Sequence, residues 1–559
     1  MKAHSVYRST WCAVALALVA AAATGLTLDW QVVVNNGVVV PGDGRSFNSY
    51  NQPSVNMNRL VVFRARSKGG STGEPAHGVF TRDMAALGDI VTVFDRNTAA
   101  PQPNNLGTTF IEPPSFPRID MVSATMASRG NHQPVWKYVL PDGSESRAGT
   151  TGIYSNPFGG VIAGASNVGG AEGLSDFAFF TEPSSGVKFD VFPGAPAVAG
   201  GNTIVFKGNY TVNGVGKTGV YFRTLTNAAI PSAGGDLSPA AGTSPVMLIA
   251  NSDTRMPGTR VPFGSTAPPS AAAGIAVFAG FDNEETPTAG GIYTARLAAK
   301  PSVKHAVKIG GPVPGESGAK FNRIGEGLAF DGRFIAFWGA WGSETKTLVL
   351  QCPAEGNKDR QAYCQEKYPY GFTTTVPVHQ GIFVYDTYDQ DSYSVAKTGP
   401  DYDDFVYWNF SGMVPGTGES DETGEPARWR SASFVALSGL VDGTLSDAGF
   451  HVAFKARMGE VVDGSYVNPV DGIYLTSCAK GKLSTALAVV QSGMDGTQID
   501  PAAEYVDAEN GGVVVNLPVT EMGLERDGFR GNVLAINVSM GTEDAGWAGI
   551  YLTEVPQTL

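Results

Sequence analysis

The chain has 559 residues, of which 71 are glycine and 35 proline, with 16% charged side chains and a formal net charge of −13. This is the composition of a turn-rich β protein, and it excludes a helical bundle or a disordered chain. The acidic balance also argues against a nucleic-acid partner, because phosphate binding needs a basic surface.

In chain order, the first segment reads as an export signal over residues 1–25. Lys2 and Arg8 precede an apolar run at 11–23, and small residues follow at 22–25. That run is short for a bilayer crossing and no later segment approaches one, so no membrane span is expected. A retained N-terminal anchor is the alternative. The mature protein is expected to be secreted or periplasmic. An isolated β-run at 29–34 comes next.

From there the chain repeats itself. Gly-[Val/Ile]-[Phe/Tyr] occurs at Gly78-Val79-Phe80, Gly152-Ile153-Tyr154, Gly219-Val220-Tyr221, Gly291-Ile292-Tyr293, Gly381-Ile382-Phe383, Gly472-Ile473-Tyr474 and Gly549-Ile550-Tyr551. The spacings are 74, 67, 72, 90, 91 and 77 residues. An apolar run ending in Phe precedes most triplets, as at 59–63, 202–206, 274–278, 333–337 and 450–454; in the second unit 121–127 is the nearest equivalent. Another apolar run follows most triplets, as at 90–94 and 246–250.

Four short strands per unit make an antiparallel blade, labelled A (innermost), B (the run ending in Phe), C (the triplet) and D (outermost). The seventh unit lacks a strand D and the 29–34 run lacks a unit. The expectation is therefore an all-β, seven-bladed β-propeller whose N-terminal strand closes the last blade and removes exposed edges. Blades fall near 45–100, 101–170, 171–258, 259–315, 316–400, 401–495 and 496–559, with the closing strand at 28–36.

The phrase Asn-x-x-Gly-x-x-Val-Phe followed by Gly-Ile-Tyr resembles a tandem-repeat group of exported microbial proteins, mostly of unknown function. At the level of blade number and export, the chain is also similar to seven-bladed polysaccharide lyases such as the ulvan lyases. No extended motif of their catalytic residues is present.

Candidate chemistry gathers on the face carrying the B–C and D–A connections, where loops of all blades converge. Long connections are read there at 128–151, 339–380 and 407–430. Cations recur at the ends of B strands: Arg64 and Arg66, Lys207, Lys455 and Arg457, with Arg129 and Lys137 in the second blade. They suit a uronate or sulfate, or equally ion pairing between blades. His77, His132 and His379 are the candidate general bases and Tyr138 a candidate acid. Tryptophans at strand ends, Trp338 among them, offer sugar-stacking faces or inter-blade packing. Cys352 and Cys364 are placed to close a disulfide in an oxidising compartment. Acidic turns at 282–285, 386–391 and 401–404 leave a structural calcium as the one cofactor left open, although none fits an EF-hand. No zinc spacing is present.

Two functions follow. One is a secreted enzyme that cleaves an anionic polysaccharide by β-elimination, cations neutralising the uronate while His or Tyr removes its C5 proton. The other is a non-catalytic propeller binding a glycan or protein of the cell surface or matrix. In either case the partner is an extracellular glycan or surface protein, and a monomer is expected.

Overall fold

The computed structural model describes residues 28–556 apart from 70–72, 106, 114, 134–135, 140–141, 149–150, 169–179, 231–242, 355–356, 416–425, 441–448, 480 and 509–510. The segment read as an export signal lies outside these. Among the described residues no helix is long and apolar enough to cross a membrane.

The chain forms seven five-stranded antiparallel sheets, one per triplet. Each triplet lies in strand C, and in five blades its third residue stands opposite the phenylalanine that ends the apolar run of strand B. The pairs are Phe63 with Phe80, Phe206 with Tyr221, Phe278 with Tyr293, Phe337 with Phe383 and Phe454 with Tyr474. Ile536 takes that place opposite Tyr551. In blade two strand B is Met126–Gln133, and Ser128 stands opposite Tyr154. This displaces the equivalent run from 121–127, because a serine has replaced the aromatic that marks the register elsewhere.

The triplet glycine has a steric cause. Residues i and i+2 share one face of a strand, so the aromatic ring folds back over the glycine. A Cβ on Gly219 would stand 2.4 Å from the Tyr221 hydroxyl, and one on Gly549 would stand 2.6 Å from that of Tyr551. At the same place strands C and D slip by one residue, as between Val79 and Phe80, Ile292 and Tyr293, and Ile473 and Tyr474. Three of the tyrosine hydroxyls then find buried partners: Tyr154 with Asn104, Tyr221 with Glu182 and Tyr551 with Asp500.

The ring closes as the repeat count requires. Trp30–Asn35 pairs antiparallel with Gly546–Glu554 and forms strand D of blade seven. Asp500 secures this junction, accepting from Asn35 Nδ2 at 2.8 Å, Trp547 Nε1 at 2.8 Å and Tyr551 at 2.9 Å.

Strand A is broken in two. Its inner segments are Ser54–Val55, Arg118–Ile119, Ala197–Ala199, Ser270–Ala272, Ala329–Phe330, Val435–Gly439 and Phe529–Arg530. These touch in the order of the blades and return from the seventh to the first. They enclose a polar plug. Arg118 Nε donates to Asp527 at 2.5 Å, and its Nη1 and Nη2 donate to Pro269 O and Ser270 Oγ of blade four. Arg530 pairs with Asp527 and donates to Leu437 O of blade six and Phe330 O of blade five. Two guanidiniums thus tie blades two, four, five, six and seven through the axis.

Candidate functional site

The long connections are built structures. In blade five strands B and C themselves lengthen into Phe334–Leu350 and Phe372–Asp386, so most of 339–380 is a tall hairpin and not a loop. A helix, Lys358–Lys367, caps it, with the Asn357 side chain accepting from Arg360 N. Cys352 and Cys364 form the expected disulfide, and Cys364 packs fully buried against Phe410 and Ala427. Phe410 lies in a second hairpin, Tyr407–Ser411 with Arg428–Ala432, and Ala427 immediately precedes its second strand. The sequence places this segment between strands D and A; in the structure it is inserted into strand A of blade six, since Asp404 ahead of it already bridges to Arg457 of strand B. A third hairpin, Val461–Val462 with Ser465–Tyr466, interrupts the B–C connection of blade six.

The three extensions pack as one. Val349 N donates to Gly464 O at 2.8 Å, and Phe372 stacks on Trp429 with centroids 6.3 Å apart. Lys346 Nζ donates to Asp403 O at 2.6 Å and lies 3.3 Å from Asp404. Beneath them sits a polar cluster. Arg457 makes a bidentate pair with Asp471 at 2.7 and 2.9 Å, and its guanidinium lies between the rings of Tyr407 and Tyr466, at 5.1 and 4.8 Å. Lys455 Nζ is 4.2 Å from the Tyr407 centroid and donates to Met522 O of blade seven at 3.0 Å. Burial, reinforced by Asp471 beside Tyr407 and by Asp404 beside Tyr466, pushes both phenols up and keeps them protonated. Burial pushes the Lys455 ammonium down.

The cations of strand B share one position but not one pocket. Arg64 donates to Asn51 in strand A of its own blade, at 2.9 Å. Arg129 donates to Phe192 O of blade three at 2.8 Å, as Lys455 does to Met522 O of the next blade. Three of these cations therefore hydrogen-bond the strand-A region of their own or the adjacent blade, whereas Arg457 pairs with Asp471 of strand C. The acceptors of these three are amide or backbone carbonyls and not the carboxylates of an adjacent blade. Lys207, at the same position in blade three, is half-buried, and Arg66 is exposed.

The candidate bases do not gather either. His77 and His379 stand on blades one and five, three blades apart round the ring. His379 lies 3.3 Å from Glu344 and stacks on Trp341. Trp338 is buried, and its Nε1 donates to Gln380 at 2.9 Å, so the ring serves packing and has no open face for a sugar. His132, Lys137 and Tyr138 belong to strands of blade two, but their side chains lie outside the described residues. Among the described residues no group of three or more His, Cys, Asp or Glu is arranged to hold a metal ion. Asp282 and Asp386, in two of the acidic turns, accept from Thr288 and from Arg333 and Tyr388.

Tyr407, Tyr466 and Asp471 carry no mark of the repeat, and Asp404 is legible in the sequence only as part of the acidic turn at 401–404, read there for calcium. The signals in the sequence are that turn and the length of 407–430.

No protein-family model matches the chain, and no curated protein matches it in sequence. Among solved structures it is similar to the polysaccharide lyase Uly1, with a TM-score of 0.29 and 10% identity over 56% of this chain and 58% of that one. The chain thus spans little more than half the length of that protein. At this score the likeness bears on no residue of the site.

Proposed function

We propose that this protein is a non-catalytic propeller that binds an anionic extracellular polysaccharide through the raised platform on blades five and six. The observation that carries this reading is the platform itself: three extensions from two adjacent blades, packed together on one face and pinned by the Cys352–Cys364 disulfide. Preorganised surfaces bind at lower entropic cost than loops that must be ordered. Its outer side offers groups suited to acidic sugars. Tyr370 is 92% exposed at the end of the helix, and Lys367 lies over the rings of Tyr363 and Tyr368.

Binding is favoured over β-elimination by the state of the groups elimination would use. The histidines of blades one and five do not meet, and the phenols nearest a cation pair are held neutral by burial. Arg457, the cation best placed to neutralise a uronate, is already neutralised by Asp471.

The test is affinity electrophoresis of the full chain in gels containing uronate-rich, sulfated or neutral polysaccharides, run beside an ultraviolet assay for unsaturated uronates. Retention in acidic gels without unsaturated product is expected. Absence of retention in every gel, or appearance of the unsaturated product, overturns the reading.

A further inference from the structure

The ion pairs of the axial plug join three guanidiniums to two carboxylates. In the break of strand A in blade seven, Glu525, Arg526 and Asp527 follow one another, and all three reach the centre of the ring. Asp527 is shared by Arg118 and Arg530, while Glu525 lies 3.0 Å from Arg526 and 3.9 Å from Arg118. Three guanidiniums therefore meet two carboxylates. The next carboxylate, Asp331, acts on Arg530 and makes no ion pair with Arg526 among the described residues.

The three arginines are not equivalent. The side chains of Arg118 and Arg530 are 0% and 2% exposed, whereas that of Arg526 is 15% exposed. Arg526 donates through Nε to Glu525 and through Nη1 to Pro268 O at 3.2 Å, and its Nη2 has no protein partner among the described residues. Burial and the neighbouring Arg118 both work against its charge. A buried cation short of counter-charge is costly, and a planar guanidinium with a spare edge suits an oxyanion.

We propose that Arg526 forms an oxyanion subsite at the axis of the ring, taking a carboxylate or a sulfate group. The glycan reading above bears only on the source of that group, an acidic sugar of the polysaccharide or a free inorganic anion.

The experiment compares thermal midpoints of the full chain, Arg526→Gln and Arg526→Lys in sodium sulfate and in sodium chloride of equal ionic strength. Sulfate raises midpoints generally by exclusion from protein surface, so the reading is the difference between variants. The sulfate increment is expected to fall by at least half in Arg526→Gln and to survive in part in Arg526→Lys. An Arg526→Gln protein with a native circular-dichroism spectrum and the full increment overturns the subsite. If Arg526→Gln does not fold, Arg526→Lys decides, and an unchanged increment in it overturns the subsite. In acidic-polysaccharide gels, retention lost with the increment identifies a glycan acid as the occupant; retention kept while the increment is lost identifies a free anion. A wild-type chain retained by no polysaccharide removes the glycan reading and leaves the sulfate comparison to decide the subsite.

Discussion

Arg118 and Asp527, separated by 409 residues of chain, meet across the axis of the ring at 2.5 Å, with Arg118 fully buried. Burial alone would raise the Asp527 carboxyl, but Arg118 and Arg530 outweigh it and hold it below the usual carboxylate range. A buried pair of this kind is most sensitive to losing one partner, since the other is left charged and unsatisfied.

Asp527→Asn is accordingly expected to destabilise the protein by about 3–5 kcal/mol. Replacing Arg118, Arg530 and Asp527 together by apolar residues is expected to recover most of that loss, because Asp527 serves both arginines. Urea denaturation of the single and triple variants measures both. Equal stability of Asp527→Asn and wild type would show that the plug does not hold the ring.

Gly219→Ala tests why the triplet needs glycine. The added methyl meets the Tyr221 hydroxyl at 2.4 Å and its ring carbon at 2.7 Å, within a packed interior. Overpacking of this kind costs about 1–3 kcal/mol. Part of the loss should be recovered on a Tyr221→Phe background, where the nearest atom is gone; a double-mutant cycle measures that coupling. Strict additivity would place the strain elsewhere.

His451 sets an acid limit on stability. Its ring is fully buried, contacts Ser477 and stacks on Phe529, and burial pushes its pKa down from 6.5 to about 4. Between those values the unfolded chain binds the proton and the folded chain does not. Stability is therefore complete above pH 6.5 and falls as the pH drops toward about 4. The loss is bounded at about 3 kcal/mol for one such group. Midpoints measured across this window should flatten in His451→Asn; an unchanged slope assigns the acid sensitivity to other groups.

Reduction of Cys352–Cys364 is expected to loosen the platform and spare the ring. The bond closes a short loop, with a sequence separation of 12, and seats Cys364 against Phe410 and Ala427. Loss of such a short-loop crosslink is worth about 3 kcal/mol. Limited proteolysis with and without reductant should open sites in 350–372 while the main thermal transition stays in place. A coincident fall of that transition would mean that platform and ring unfold together.

The repeat made the fold legible because each triplet encodes a local constraint. A glycine under an aromatic at i+2 and a bulge against strand D are properties of a single blade, so a linear reading finds them seven times. The disulfide was legible too, since two cysteines 12 residues apart had few other partners. The site was much less so. The cations after the B-strand aromatics were visible, but whether they faced a ligand or a neighbouring strand depended on contacts the repeat does not encode. Blade six shows this most clearly: Asp471 stands opposite Arg457 in the B–C ladder, whereas Asp404, 62 residues from Tyr466, meets it through the hairpin inserted in the B–C connection.

By itself, then, the order of residues determined the number of blades, the register of all but the second and the closure by Trp30–Asn35, because antiparallel pairing and side-chain alternation act over a few neighbouring residues. Only the tertiary structure decided that the axis is filled by Arg118, Asp527 and Arg530 and that three insertions share one platform. Those outcomes depend on burial and charge compensation between segments hundreds of residues apart, and neither has a period along the chain.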